Sequence, residues 1–244
     1  MLVVAASVSG APGASTVALG LAALWPARPA LLVEADPCGG VVAARFGLAQ
    51  EPGLASLAAA ARHGGLAGGA APYLQQLPLG LHALVGPGSA ETAAGAVAVL
   101  AGHAESAVAG LAPAVVADVG RLYVGSPAWG VLRVADAVVL VTGGATEDLD
   151  RVETRLPSLR EAARPGAVGV ALSGKSVWPA DEVAGRLGVP VLGNLPADRW
   201  GAGVLAGRMT GRAWTRTRLA QALRSLAAQL AAAAPVRAGV EVVA

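Results

Sequence analysis

Residues 2–24 read LVVAASVSGAPGASTVALGLAAL, and the order of strand, loop and helix in this stretch decides the fold. The apolar run Leu2–Ser7 predicts a buried β-strand, and Ser15–Leu24 predicts an Ala-rich helix. Between them, Gly10 and Gly13 allow the backbone to approach an anion closely, where the first N–H groups of the helix converge. The stretch therefore predicts a phosphate loop, although a Gly- and Pro-rich turn capped by a serine would use the same residues.

Short runs rich in Val and Leu alternate with longer Ala-rich stretches along the chain. The predicted strands are Leu2–Ser7, Ala30–Glu34, Leu81–Val85, Ala114–Asp118, Ala137–Thr142, Val168–Leu172 and Val189–Gly193. The predicted helices are Ser15–Leu24, Gly53–Arg62, Ala90–Ala109, Glu147–Ala163, Ala180–Leu187 and Thr215–Ala234. This alternation is typical of βα units, so we expect an α/β fold: a doubly wound, mostly parallel sheet with helices on both faces and a ligand crevice at the carboxyl ends of the strands.

The same pattern sets the expected domain organisation. No break in composition divides the chain, so we expect a single domain over residues 1–235. Gly64–Pro72 is a loop of small residues without an alternating pattern. Val236–Ala244 follows Pro235 after the last predicted helix, and we expect this segment to be a loose tail.

Composition limits the functional classes. The 18 basic and 16 acidic side chains give a formal net charge of +2, which does not predict direct binding to nucleic acid. Cys38 is the only cysteine, the chain opens on a strand rather than a basic leader, and each apolar run falls short of the ~20 residues of a membrane-spanning helix. We therefore expect a cytoplasmic protein. Lys175 is the only lysine, so lysine chemistry would have to occur there.

A second segment, Gly169–Ser176, matches the pattern G-x-x-x-x-G-K-[ST] of a phosphate loop. A phosphate loop must follow a strand and open a helix. Here Val170–Leu172 is itself the predicted strand, and Val177–Pro179 delays the next helix. We therefore interpret this match as fortuitous and place the phosphate loop at residues 8–16.

Two carboxylates extend the N-terminal pattern. Asp36 and Asp118 each follow or end an apolar strand, where a side chain projects into the crevice of a parallel sheet. An uncompensated Asp is costly in a core. Both residues are therefore candidates for a functional site. His63, His82 and His103 show no metal-ligand spacing, so no histidine metal site is predicted.

Taken in order, the loop at residues 8–16, the segment LLVEADP at residues 31–37 and VVAD at residues 115–118 resemble the ParA/MinD family of deviant Walker P-loop ATPases. In that family the loop reads G-K-G-G-x-G-K-T-T, and the resemblance implies that it cradles the phosphates of ATP or ADP. The implied nucleotide-binding residues of the loop are Gly10, Ala11, Pro12, Gly13, Ala14, Ser15 and Thr16. The implied Mg²⁺ site comprises Ser15, Asp36 and Asp118, the last acting through water, and Asp36 and Asp118 would be the catalytic residues of an active enzyme.

The resemblance extends to the far end of the sheet. In that family the strand similar to Val168–Leu172 ends beside the adenine base, which implies that Lys175 lies near the base. The segment LPAD at residues 195–198 implies that Pro196 and Asp198 lie on the other side of the base. Lys175 as a solvated lysine of a surface loop is the alternative.

The loop also departs from the family pattern at the positions that carry charge. The first Gly of the pattern is Val8, the signature lysine is Ser9, a further Gly is Ala11 and the phosphate-binding lysine is Ala14. Phosphoryl transfer depends chiefly on stabilising charge at the β- and γ-phosphates. The resemblance, so modified, implies a degenerate member in which nucleotide binding survives and hydrolysis is weak or absent.

Three functional hypotheses follow. The first is a nucleotide-binding positioning or regulatory protein, similar to the degenerate TadZ/CpaE proteins that localise pilus or secretion machinery or to partition proteins; loops of the Gly-Ala-Pro-Gly kind resemble those of actinobacterial homologues. The second is a pseudo-ATPase scaffold that binds no nucleotide. The third is an ATPase in which Lys175 or an Arg of a partner chain replaces the lysines.

The resemblance also implies partners. We expect a homodimer and a protein partner belonging to a localisation, pilus or secretion system. A MinD-like membrane helix would resemble the last predicted helix, with its leucine stripe at Leu219, Leu223, Leu226 and Leu230. Such a stripe more commonly packs into a core, so membrane association is not the expected role.

Overall fold

A computed structural model of the chain describes residues 1–10, 13–63, 69–104 and 108–233. The predicted tail and residues 64–68 of the predicted small-residue loop lie outside the described residues. The strands are β1 (Leu2–Ser7), β2 (Leu31–Glu34), β3 (Gln75–Gln76), β4 (His82–Leu84), β5 (Val115–Arg121), β6 (Ala137–Gly144), β7 (Val168–Ser176) and β8 (Val191–Leu195). They form one sheet in the order β3-β4-β2-β5-β1-β6-β7-β8. Strand β3 pairs antiparallel with β4, and the other pairings are parallel.

The α-helices of the described residues are α1 (Ala14–Ala23), α2 (Val42–Phe46), α3 (Leu54–Arg62), α4 (Ala90–Gly102), α5 (Trp129–Arg133), α6 (Thr146–Ala162), α7 (Ala180–Leu187), α8 (Arg199–Leu205) and α9 (Arg218–Ala232). Short 3₁₀ helices occur at Ala71–Tyr73 and Arg212–Arg216. None of the helices in the described part is long and apolar enough to cross a membrane.

The sheet separates two hydrophobic layers, because successive side chains of each buried strand point to opposite faces. Leu2 and Val4 of β1 pack into the layer formed by α3 to α7, whereas Val3 and Ala5 pack into the layer that contains α1, α2, α8 and α9. Both layers consist mainly of Val, Leu and Ala, as the scarcity of aromatic residues predicts. The expected α/β architecture with helices on both faces is confirmed.

The leucine stripe of α9 lies in this core. Leu219, Leu223, Leu226 and Leu230 are buried, and α9 packs against α1 and β8. Gly20 of α1 faces this stripe, since a Cβ there would lie 2.4 Å from a methyl carbon of Leu223. The stripe therefore serves packing within the protein.

Several element boundaries differ from the sequence-based expectation, those of β7, α4 and α9 among them. Strand β7 continues to Ser176 instead of ending at Leu172, because it pairs with the equally extended end of β6 at Gly143 and Gly144. Helix α4 ends at Gly102, short of the predicted end at Ala109, and residues 105–107 lie outside the described part. Helix α9 begins at Arg218 rather than Thr215, because the Thr217 side chain accepts the Ala220 N–H and caps the helix there.

Asp198 joins the starts of two helices. It is the N-cap of α8 and accepts the Gly201 N–H at 2.8 Å, while its second oxygen accepts the Leu219 N–H of α9 at 3.2 Å. Burial alone would raise the pKa of Asp198. The hydrogen bonds from Gly201, Leu219 and Thr217 outweigh it and hold the pKa of Asp198 below its usual value. The carboxylate thus ties α8 to α9.

We expect Asp198→Ala to lower the free energy of unfolding by about 2 kcal/mol, since α8 loses its cap and α9, which keeps its Thr217 cap, loses the acceptor of its Leu219 N–H, at about 1 kcal/mol each. The melting temperature, followed by circular dichroism, should fall by roughly 4–8 °C for a chain of this size. Asp181→Ala is the control: Asp181 is exposed in the first turn of α7, which has no side-chain cap. Equal effects of the two substitutions would contradict the double-cap assignment.

Candidate functional site

The N-terminal loop presents the start of α1 to solvent. Gly13 adopts a left-handed conformation with φ of 97° and precedes Ala14, the first helical residue. The Val17 N–H donates to the Gly13 carbonyl at 2.9 Å, so the N–H groups of Ala14, Ser15 and Thr16 precede the first bond of the helix. Helix α1 has no acidic residue in its first turn. These features favour an anion at this helix start.

A cleft of about 340 Å³ opens at this helix start. Its lining combines the loop, the ends of β1 and β5, the residue after β2 and one side chain of α2. The lining residues are Ser7, Ser9, Gly13, Ala14, Ser15, Thr16, Asp36, Arg45, Gly120 and Arg121. The structure thus brings the described residues 13–16 of the predicted loop together with Asp36, whereas Ala11 and Pro12 lie outside the described residues.

Gly10 belongs to a second, neighbouring cleft of about 330 Å³. Val8, Ser9 and Gly10 line it together with Arg121, Asp148 and Arg151. Ser9 and Arg121 line both clefts, so the two are adjoining parts of one groove along the loop. The outer part of the groove carries the ion pair between Arg151 and Asp148, with an N–O distance of 3.2 Å.

Asp118 does not line the first cleft, so the expectation that its carboxylate projects into the crevice is wrong. Asp118 is buried on β5, the Gly120 N–H donates to its Oδ1 at 3.1 Å, and the Ser15 hydroxyl donates to its carboxylate. Burial, aided by the nearby charges of Glu34 and Asp36, raises the pKa of Asp118 to about 7 against those hydrogen bonds. The predicted pair Ser15 and Asp118 is therefore in direct contact, and a bound cation would favour the ionised form of this carboxylate.

Asp36 lies beside Asp118 at the rim of the cleft. Its Oδ1 accepts the Cys38 N–H at 2.8 Å, and burial raises the pKa of Asp36. A Cβ on Gly120 would lie 1.9 Å from Oδ2 of Asp36, and Gly120 has a φ of 60°. Only glycine therefore fits at position 120 with Asp36 in this place.

Glu34 is the most constrained carboxylate of the region. It is 1% exposed; Oε1 accepts the N–H groups of Val41 at 2.5 Å and Val42 at 2.9 Å, and Oε2 accepts the Gly86 N–H at 2.8 Å. Burial raises the pKa of Glu34, although these three bonds and the charge of Arg45 oppose the rise. Glu34 thus fixes the start of α2 and the segment after β4 to the end of β2.

Carboxylates alone do not form a metal site here. Among the residues that the structure describes, no group of three or more His, Cys, Asp or Glu side chains is arranged to hold a metal ion. The predicted Mg²⁺ arrangement uses the Ser15 hydroxyl, water-bridged carboxylates and phosphate oxygens, which is the usual way proteins hold Mg²⁺. The metal roles of Ser15, Asp36 and Asp118 therefore stay predictions, with Ser15 and Asp118 already in contact.

The residues predicted beside the base lie elsewhere on the same edge of the sheet. Lys175 is exposed near the end of β7, two strands from β1, in the irregular part of that strand between Ser173 and Ser176, and the alternative of a solvated surface lysine stays open. Pro196 is half-buried directly after β8, and Asp198 is engaged in helix capping. The base-binding roles of these three residues are predictions that the geometry leaves untested.

The backbone conformation of the second segment shows why its match to the phosphate-loop pattern is fortuitous. Gly169–Ser176 lies entirely within β7, and the next helix begins only at Ala180. Gly169 packs against the Leu192 side chain of β8, with a Cβ there only 2.6 Å from it. A strand in this register has no group of N–H donors that converges on a phosphate.

Sequence reasoning missed two cations of the cleft, Arg45 and Arg121. Arg45 lies on α2, a helix of five residues that is too short to show a helical period. Arg121 is the last residue of β5, and its position three residues after Asp118 is the signal that could have placed it at the strand end. Both side chains enter the cleft at residues 13–16.

The chain was compared with known proteins. No family model matches it, and no curated protein matches it in sequence. Solved structures do match: a ParA family ATPase from Chlorobium tepidum (TM-score 0.73, 19% identity, 93% of this chain and 98% of that chain) and the cell-division ATPase MinD from Pyrococcus furiosus (0.74, 18%, 96% and 99%). A third is MinD from Pyrococcus horikoshii in complex with Mg-ADP (0.72, 17%, 94% and 96%).

The chain has the ParA/MinD fold. Nearly the full length of each of these structures is matched, so the likeness covers the whole sheet and not only the loop. At 17–19% identity the likeness establishes the fold, and function must be argued from the site.

The raised pKa of Asp118 gives a testable pH dependence. An unfolded Asp ionises near pH 4 and the folded Asp118 near pH 7, so between these values the folded chain keeps a proton that the unfolded chain has lost. Stability should therefore fall as the pH rises from about 4 to 7, without Mg²⁺ or nucleotide. We expect Asp118→Asn to exceed the wild type by about 1–3 kcal/mol at pH 8, since each pKa unit is worth about 1.4 kcal/mol.

Urea unfolding at pH 4 and pH 8 measures this difference, which should be much smaller at pH 4, where Asp118 is protonated in the folded state and only about half ionised in the unfolded state. Asp181→Asn, at an exposed position of α7, is the control and should follow the wild type. If Asp118→Asn were more stable than the wild type by the same amount at both pH values, ionisation of Asp118 would not be the cause of the difference.

Removal of the Glu34 carboxylate should loosen the region around α2. Glu34→Ala leaves three N–H donors without their acceptor, and we expect a loss of about 3 kcal/mol or more in urea unfolding. Glu34→Gln keeps one acceptor oxygen and should lose less. Glu91→Ala, at an exposed position of α4, is the control; an equally small effect of all three substitutions would remove Glu34 as an anchor.

Proposed function

We propose that this chain is a nucleotide-binding positioning or regulatory protein of the ParA/MinD type, with weak or absent ATP hydrolysis. The observation that carries the proposal is the cleft itself. The start of α1, Ser15 and Asp36 line one cleft, and Asp118 is buried beside them, close enough to accept the Ser15 hydroxyl. Helix starts bind phosphate, and a hydroxyl with nearby carboxylates suits a phosphate-bound Mg²⁺.

The loss of hydrolysis follows from the residues that replace the lysines. Ala14, at the position of the phosphate-binding lysine, is buried, and its methyl group brings no charge. Ser9 lines the groove at the position of the signature lysine. The transition state of phosphoryl transfer requires charge stabilisation that these side chains do not supply. Binding can persist on backbone donors and Mg²⁺, which act on the ground state as well.

The role in the cell is inferred from proteins of the same fold. MinD of Aquifex aeolicus is known in a complex with MinC. By analogy we propose that the present chain forms a homodimer and engages a protein partner of a localisation, pilus or secretion system. Gel filtration with and without Mg-ATP measures whether the dimer depends on the nucleotide.

A pseudo-ATPase scaffold is the second candidate, and the electrostatics of the site favour it specifically. Glu34, Asp36 and Asp118 lie close enough for the charges of Glu34 and Asp36 to raise the pKa of Asp118. In the absence of a cation, these carboxylates repel a polyphosphate. If Mg²⁺ does not bind, this repulsion would prevent nucleotide binding. The protein would then act only through its contacts with other protein chains.

Calorimetric titration with Mg-ATP separates the two candidates. We expect micromolar binding by the wild type and a loss of about tenfold in both Ser15→Ala and Asp118→Ala, since each removes a Mg²⁺ partner. Ser158→Ala, at an exposed position of α6, is the control and should bind as the wild type does. No heat from a folded wild-type protein would contradict nucleotide binding and support the scaffold.

Phosphate release completes the test. We expect turnover far below that of an active ATPase, and no effect of Lys175→Ala on binding. Substantial turnover that Lys175→Ala abolishes would contradict the proposal and support an ATPase in which Lys175 replaces the missing lysines.

A further inference from the structure

The cleft contains a cation that comes from outside the phosphate loop. Arg45 lies on α2 and lines the same cleft as Gly13, Ser15 and Thr16. It is electrostatically attracted to Asp118 and Glu34. The positive charge absent from position 14 of the loop is thus supplied to the same cleft by a side chain of α2.

The position of Arg45 is fixed by its backbone on both sides. Glu34 holds the start of α2 through the N–H groups of Val41 and Val42. The helix ends at Gly47, in a left-handed conformation with φ of 64°. A Cβ on Gly207 would lie 1.8 Å from the Arg45 carbonyl oxygen, so the two backbones are in close contact. The side chain therefore projects from a rigid base, as a preorganised binding group requires.

The guanidinium group has an unused donor. Nη1 of Arg45 is buried and has no hydrogen-bond partner among the residues that the structure describes. Burying a charged donor without an acceptor is costly, and the great majority of such donors in proteins are paired. The attraction to the two carboxylates offsets part of this cost without satisfying the donor. An anion that reached Nη1 would satisfy it.

We propose that Arg45 binds the phosphate oxygens of the nucleotide and replaces, from α2, the lysine that is Ala14 in the loop. This inference rests on the proposed nucleotide binding and assigns the side chain that supplies the positive charge for the phosphates. A guanidinium donates two parallel hydrogen bonds to a phosphate, which suits a position fixed by the backbone. Arg121, exposed at the junction of the two clefts, adds a weaker and solvated charge.

Arg45 also offsets the repulsion between a polyphosphate and the carboxylates near the cleft. Its charge lies near Glu34 and Asp118, and its side chain lines the same cleft as the helix start. With Mg²⁺ on the Ser15 side, the phosphates would meet cations from two directions. Without Arg45, the cleft would retain its carboxylates and lose a counter-charge.

The test compares Arg45→Gln with Arg208→Gln by calorimetry, with Mg-ATP and with inorganic tripolyphosphate. Arg208 is a matched control because it is exposed, close enough to repel Arg45, and carries the same charge. We expect Arg45→Gln to weaken both ligands about 10- to 100-fold, the range for a lost charged hydrogen bond. Arg208→Gln should change affinity by less than about twofold, as expected for an exposed charge, and Arg45→Lys should restore part of the loss.

The outcomes separate the inference from the proposal beneath it. If Arg45→Gln binds as the wild type while Ser15→Ala is weakened, Arg45 is not the phosphate cation and nucleotide binding stands. If the wild type binds neither Mg-ATP nor tripolyphosphate, both are overturned. Each variant is first melted to confirm that it is folded. Should Arg45→Gln fail to fold, Arg45→Met, which keeps an unbranched apolar stem, decides by the same criteria.

Discussion

The site depends on the burial of one carboxylate, Glu34, at the end of a central strand. Its oxygens accept three backbone N–H groups, two from the start of α2 and one from Gly86 after β4. A buried charge is tolerated only when it is paired and hydrogen-bonded, so these segments have to close around it. The same closure brings Asp36 to the rim of the cleft and α2 to its wall.

A second consequence of this arrangement is electrostatic. Two acidic side chains lie side by side on neighbouring strands, since Glu34 of β2 is in register with Asp118 of β5. Burial raises the pKa of both groups, and the charge of Glu34 adds to the rise at Asp118, which makes this region sensitive to pH and receptive to cations. Arg45 supplies one fixed cation from within the chain. Under the proposed function, a metal ion carried by phosphate would supply a second cation. The carboxylates and Arg45 would then both interact with the same bound nucleotide.

The sequence predicted what local patterns determine and missed what depends on distant contacts. Strand β1 was predicted with its observed bounds, and α1 begins within one residue of the expected start, because glycines and an apolar period mark them. Asp118 was expected to end its strand and project into the crevice, but β5 continues to Arg121 and the carboxylate is buried. The position of Arg45 follows from tertiary packing of a five-residue helix, and no local pattern shows it. The role of Asp198 as a double cap depends on Leu219, 21 residues away.

The close approach of Gly207 to the Arg45 carbonyl links the binding cleft to the far side of α8. No space remains between these two backbones, so a shift of α2 toward Gly207 has to push the turn that follows α8. That turn includes Met209, which is 40% exposed and whose sulfur would lie 2.9 Å from a Cβ on Gly203. The helix that carries Arg45 and the turn that carries the exposed Met209 are therefore joined by a direct contact between their backbones.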